Sequence, residues 1–261
     1  MPNPAGPHPA GNGAAVPAVQ HLVVRYAKRG KMRFASHRDV ARAFERGVRR
    51  AGLPIAYSAG FTPHPKISYA GGAPTGVASE AEYLSLALTA RQNETQVCGQ
   101  LNAALPDGID VIDVTEAGAG GSSSAGSGSA SSGGFGHLEA SAWRMVLPGV
   151  TPEEARRAVA GFLARAEAPV ERLTDKGVRR LDARAAVVEL TVIDEAGFDG
   201  CAILRMVVLH TAPAVRSEDI VTALREQDGI APSSPPMITR LAQGQRAQLT
   251  GQALPAGEGV S

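Results

Sequence analysis

The stretch "HLVVRYAKRGKMRFASHRDVARAFERGVRRAG", His21 to Gly52, decides the fold. Its opening alternates, with Leu22, Val24 and Tyr26 set against Val23 and Arg25, the two-residue period of a half-buried β-strand. The period then changes. Ser36, with Asp39 three residues on, makes an approximate capping box, and the spacing predicts a helix from Arg38 to about Arg50 that Gly52 stops. At 100° per residue, Val40, Phe44, Gly47, Val48 and Ala51 share an apolar stripe, whereas Arg38, Arg42, Arg46 and Arg49 crowd the opposite side. The stripe packs on a sheet and the arginines face out.

Working outward, "LPIAYS" reads as a short strand and "AEYLSLALT" as an alternating one, with Tyr83, Leu84, Leu86 and Leu88. Asn93 opens a helix carrying Val97, Leu101 and Leu105; Pro106 and Gly108 end it, and "IDVIDVTE" is a last strand. The order β-α-β-β-α-β is the ferredoxin-like pattern. A second segment repeats it. "SAWRMVLP" is a strand, and "TPEEARRAVAGFLARAE" is a helix with Thr151 as cap, Pro152 at its first position and Glu154 completing the box. "RLDARAAVVELTVID" and "CAILRMVVLH" are strands joined by a short acidic turn, "SEDIVTALREQD" is a helix capped by Ser217, and "MITRLAQ" is a final strand. The fold class expected is α+β, two ferredoxin-like units of residues 20–116 and 137–246. A Gly/Ser-rich linker at 117–136 joins them, between disordered tails at 1–19 and 247–261. Such units leave one sheet face open, available to each other or to a ligand.

Composition agrees with a globular chain: 44% of the 261 residues are apolar and only 4% aromatic, so the cores are aliphatic. No apolar run approaches the roughly 20 residues that span a bilayer, and the N-terminus does not read as a secretory signal. Cys98 and Cys201 lie far apart, with no partner at metal-ligand spacing, which suits a cytoplasmic location with reduced thiols. The net charge of +1 hides an asymmetry. From His21 to Lys66 there are 11 Lys and Arg against 2 acidic residues; the rest of the chain holds 15 basic and 23 acidic ones. A cationic region on an otherwise acidic molecule implies a localised anionic partner.

Three stretches are candidates for binding that partner. Arginine suits phosphate because its planar fork donates two hydrogen bonds and stays charged, so the Arg38, Arg42, Arg46 and Arg49 face fits a nucleic-acid backbone or an acidic protein surface. Before it, Gly30 permits a turn that carries Lys31 and Arg33 to the rim, and Ser36, His37 and Arg38 sit at the helix start, where free N–H groups favour an anion. His37 reads equally as an acid/base group or as a solvent-facing first-turn residue. In "YSAGFTPHPKISYA", residues 57–70, Pro63 and Pro65 fix the backbone. Phe61, His64 and Lys66 then stand on a stiff rim, with Tyr57 and Tyr69 able to pack or stack. Helix face and rim together are expected to enclose one anion-receiving hollow. "TDKGVRRLDAR", with Lys176, Arg179, Arg180, Asp182 and Arg184, reads as a surface hairpin with a basic tip. The chain has no Cys-x₃-Cys-x₂-Cys, no phosphate-binding loop and no His pair at metal spacing. No cofactor is expected in it: iron–sulfur, S-adenosylmethionine and cobalamin would belong to a partner.

Residues 25–89, with "RF.SH.D", "ER..RRAGLP..YS.GF.P.P" and "P.GV.SE.EYL", resemble the radical-SAM-linked family of uncharacterised bacterial domains. The likeness is strong over about 20–116 and looser over 175–245. Members of that family occur fused to, or encoded beside, radical-SAM proteins that often bind cobalamin. In GC-rich sequences like this one they stand alone and tend to neighbour an RNase E/G-type ribonuclease. The family's recurrent positions fall on Arg33, Phe34, Ser36, His37, Asp39, Arg46, Gly60, Phe61, Pro63, Pro65 and Lys66. The resemblance implies context for the chain and no chemistry of its own.

The expectation is therefore an accessory module that binds RNA or another polyanion and presents it to a separate enzyme. A protein-interaction subunit docking an acidic enzyme surface is the alternative. A metal-free RNA-cleaving or RNA-modifying enzyme using His37 and His64 is a third.

Overall fold

Alternation along β1 (Gln20–Lys28) is kept in three dimensions: Leu22, Val24 and Tyr26 are buried under a helix layer, while Val23 and Arg25 lie half-exposed on the other face. The computed structural model describes residues 16–118, 135, 138–175, 177–194 and 200–251. A 3₁₀ turn (Gly30–Phe34) follows β1, then α1 (His37–Arg50), β2 (Ile67–Tyr69), β3 (Ala78–Leu88), α2 (Glu94–Ala104) and β4 (Ile109–Glu116). The second half runs β5 (Ala140–Leu147), α3 (Pro152–Ala164), β6 (Pro169–Thr174), β7 (Gly177–Asp182), α4 (Ala183–Ala186), β8 (Val187–Ile193), β9 (Ala202–Leu209), α5 (Ser217–Asp228), β10 (Met237–Gly244) and α6 (Arg246–Leu249).

The architecture is mixed α+β. One sheet holds eight strands in the order β4-β1-β3-β10-β5-β9-β8, with β2 also paired to β3. All neighbours are antiparallel except β3 and β10, which meet in parallel through Thr239 opposite Ala78 and Arg240 opposite Ser79. The two halves thus share a sheet edge. They neither stack their open faces nor hang apart on a linker. β3 is long enough to serve both: its start meets β10, and Leu84–Leu86 meet β2.

Helices cover one face. Val40, Phe44 and Val48 of α1 and Val97 and Leu101 of α2 pack on Leu22, Val24, Leu84, Leu86 and Leu88. In the second half, Ala155, Val159 and Phe162 of α3 and Ile220 and Leu224 of α5 pack on Met145, Leu147, Leu204 and Met206. Burying a side chain of this size contributes about 1.5–3 kcal/mol.

Local punctuation mostly follows the sequence. Ser36 and Thr151 close capping boxes with Asp39 and Glu154. Ser217 does not cap α5. It is the first helical residue, and the Arg216 N–H donates to Asp219 Oδ2 at 2.7 Å. "LPIAYS" makes only isolated bridges, Ile55 to Leu88 and Tyr57 to Pro65. The long strand expected at 180–194 is broken by α4, because the Asp182 carboxylate accepts from the N–H groups of Ala168 and Arg184 and turns the chain. β6 and β7 form a separate two-stranded hairpin. Most of the Gly/Ser stretch and of both terminal tails lies outside the described residues. Within the expected C-terminal tail, Leu249 of α6 is buried against Ala140, Ala142 and Val207 on the sheet face opposite the large helices.

Candidate functional site

The arginine face is built as the wheel predicts. α1 buries Val40, Ala43, Phe44, Gly47 and Val48, and Arg38, Arg42, Arg46 and Arg49 are all exposed. Among the described residues their one ion pair is Arg42 with Asp39, at 3.9 Å. Arg50, one residue beyond the row, turns aside and donates to Ala104 O at 3.0 Å. Four unclaimed or weakly paired guanidiniums on consecutive turns make a strip about 16 Å long at the rise of an α-helix.

The start of α1 is less open to an external anion than its sequence suggests. Asp39 Oδ2 accepts from the Ser36 N–H at 3.2 Å and from Ser36 Oγ at 2.6 Å. The Ser36 hydroxyl and N–H hold the Asp39 carboxyl below the ordinary aspartate range. The helix end thus carries its own carboxylate. Lys31 is exposed on the 3₁₀ turn. Arg33 is committed nearby: its Nε donates to Gly76 O at 3.1 Å and its guanidinium lies 5.0 Å from the Phe34 ring centroid. The His37 ring meets Tyr69 edge-on, 5.1 Å between centroids, and is exposed at its residue level.

The proline-braced rim is formed, but it faces elsewhere. Ser58 Oγ accepts from the His64 N–H at 3.0 Å, and the Ser58 N–H donates to His64 O at 2.9 Å, closing the loop. Gly60 takes a left-handed φ of 122° at its tip, and Phe61 beside it is 100% exposed. Beyond buried Pro65, the Lys66 N–H donates to Ala56 O and Lys66 O accepts from the Ala87 N–H, extending the β2 pairing back to residue 66. Ile67 and Tyr69 pack into the helix-side core, so the pleat aims exposed Lys66 and Ser68 at the opposite sheet face. Glu45 stands on the α1 flank nearest β2, where its charge adds to burial in pushing the Tyr69 hydroxyl far up. The arginine row and Lys66 therefore look out from opposite sides of the sheet, and the single hollow expected from the sequence does not form. Nor are the two histidines brought together. Tyr69 touches His37, and His64 is five residues back along extended chain, about 16 Å.

Between the halves lies a buried polar cluster that sequence reasoning missed. Arg240 Nη1 donates to Glu82 Oε1 and to Gly71 O, each at 3.0 Å, and its guanidinium stacks 4.7 Å from the Trp143 ring centroid. Glu82 Oε2 accepts from the Ala73 N–H at 3.0 Å, and Lys28 Nζ donates to the carbonyls of Ala73 and Pro74 at 3.1 and 3.2 Å. Burial pulls the Lys28 pKa down, partly offset by Glu82, and pulls that of Arg240 down against the same carboxylate. These bonds pin the 71–74 loop, and a β-carbon at Gly72 would sit 3.5 Å from Glu82 and 3.6 Å from His37 Nδ1. The cluster thus positions the loop beside the first turn of α1. A signal was present: Lys28, Glu82 and Arg240 each lie two residues from a core side chain, Tyr26, Leu84 and Ile238, on the buried parity of a strand.

No group of His, Cys, Asp or Glu among the described residues could hold a metal ion, and no helix there is long and apolar enough to cross a membrane. Fold and surface define a mixed α+β domain with a cationic helix, α1. The family model described as an uncharacterised protein conserved in bacteria, DUF2344, matches residues 21–217, and the chain belongs to that family. No curated protein matches it.

Proposed function

We propose that this protein is a cytoplasmic, radical-SAM-associated accessory module that binds RNA or another polyanion through the outward face of α1. The observation that carries this reading is the exposed row Arg38, Arg42, Arg46 and Arg49, which among the described residues only Asp39 opposes. Lys31, at the N-terminal approach to the row, extends it. His37 and Arg33 frame that approach, and Phe61, His64 and Lys66 form a second, separate contact surface. The strand orders β4-β1-β3-β2 and β10-β5-β9-β8 support reading the halves as two ferredoxin-like units. Chemistry, with its iron–sulfur cluster, S-adenosylmethionine or cobalamin, resides in a partner enzyme of radical-SAM or RNase E/G type.

Charge-reversed Arg42→Glu/Arg46→Glu protein is compared with the parent for binding of bulk cellular RNA at low salt. Affinity is expected to fall by about tenfold or more, because two phosphate contacts become repulsive. Equal binding by both proteins sinks the reading.

A second reading, docking to an acidic protein surface, is favoured by one feature: the α1 face offers guanidiniums but no aromatic ring on which a base stacks. Pull-downs after nuclease treatment separate the two, since a docking subunit keeps its partner once RNA is destroyed.

A further inference from the structure

The β6–β7 hairpin stands outside the main sheet; β6 is anchored, and β7 is bare over Gly177–Arg180. β6 is held to the body. Val170 is buried in the second core, joined there by Leu181 from the far end of β7; Arg172 Nη1 donates to Asp219 Oδ2 at 2.6 Å and Nη2 to Ala214 O at 3.1 Å, and Gln227 Nε2 donates to Pro169 O at 3.0 Å. β7 has no strand partner besides β6 among the described residues, and Gly177, Val178, Arg179 and Arg180 are all exposed.

Register says which backbone groups are free. The Ala183 N–H donates to Ala168 O at 2.9 Å, so bonded pairs recur at every second position: Val170 with Leu181, Arg172 with Arg179, Thr174 with Gly177. Pro169, which has no N–H, falls in the alternate class, as it must. The N–H and C=O of Val178 and of Arg180 therefore point away from β6 along a straight edge. Their side chains, with the cross-strand neighbour Leu173, form the outer face; Leu173 is 81% and Val178 66% exposed.

We propose that this edge of β7 accepts an extended acidic segment of a partner protein by strand addition. Unpaired N–H and C=O groups at strand spacing match another peptide backbone, and the anchored hairpin loses little entropy when it is joined. Charge selects the occupant. The exposed part of β7 carries Arg179 and Arg180 and no carboxylate, and Glu171 faces Arg180 only from across the hairpin on β6. A second copy pairing edge to edge would bring these arginines against their own kind, which disfavours self-association. Alternate side chains of an acidic strand would meet Arg179 on one face, and Val178 and Leu173 on the other. The site is distinct from α1 and does not rest on RNA binding.

The probe is a fluorescent nine-residue peptide alternating glutamate and valine, titrated by anisotropy against the full chain. Saturable binding is expected. It should weaken about tenfold or more in Arg179→Glu/Arg180→Glu protein, and disappear when every second peptide nitrogen is methylated. Both arginines are exposed, so the variant's thermal melt should match the parent's, and its RNA affinity should stay at the parent level. Four outcomes overturn the proposal: no saturable binding by the parent, equal binding of the methylated peptide, equal binding of a lysine–valine peptide, or loss of RNA affinity in the variant. The last would assign the hairpin to the RNA surface instead.

Discussion

Arginine appears in two contrasting settings in this protein. On α1, Arg38, Arg42, Arg46 and Arg49 stand in solvent, with one weak carboxylate contact among the described residues. At the junction of the halves, Arg240 is 6% exposed, bonded to Glu82 and to the Gly71 carbonyl, and laid on Trp143. The same guanidinium holds structure in one place and is left available in the other. Solvated arginines that stabilise nothing internal are positions where substitution changes binding and leaves folding alone. Buried Arg240 is the reverse, because removing either partner strands a charge in a medium that cannot hydrate it.

The contrast is most exposed to test at the junction. Arg240→Leu is expected to lose about 3–5 kcal/mol in urea unfolding by leaving Glu82 unpaired, and Glu82→Leu/Arg240→Leu to regain most of it. A loss under about 1 kcal/mol for the single variant would erase the distinction. On α1, Arg38→Ala should leave unfolding within about 0.5 kcal/mol of the parent while lowering the slope of log affinity against log salt for single-stranded RNA by about 0.7. Smaller still is the cap that starts the helix. Ser36→Ala should cost about 1 kcal/mol. Because the Asp39 pKa is depressed in the folded protein, the capping box contributes its stability above the ordinary aspartate value of 3.8 and loses it as pH falls through the lower folded value. The gap between parent and Ser36→Ala unfolding curves should therefore narrow in acid, to the part carried by the Asp39 N–H to Ser36 Oγ bond.

Elements with a local cause were legible in the sequence. Helix α1, its Ser36–Asp39 box and its arginine face all follow from spacings under fifteen residues, as does the Thr151–Glu154 box of α3. What failed had a distant cause or a competing one. Reading 180–194 as one strand hid the turn at Asp182, whose carboxylate is set by the Ala168 N–H fourteen residues away. The parallel meeting of β3 and β10 rests on two residue pairs separated by about 160 positions, and no local pattern encodes it. The Ser58–His64 bonds close the rim at 57–69 locally, but its direction depends on which β2 side chains enter the core, and Tyr69 and Ile67 take that place.

The parallel joint also has a consequence for biogenesis. β10 leaves the ribosome some 160 residues after the leading end of β3, which it shields. Until it arrives, the nascent N-terminal half carries an open strand border and a Glu82 without its Arg240 partner, so the newborn chain passes through an interval in which a chaperone or a stray strand competes for that border.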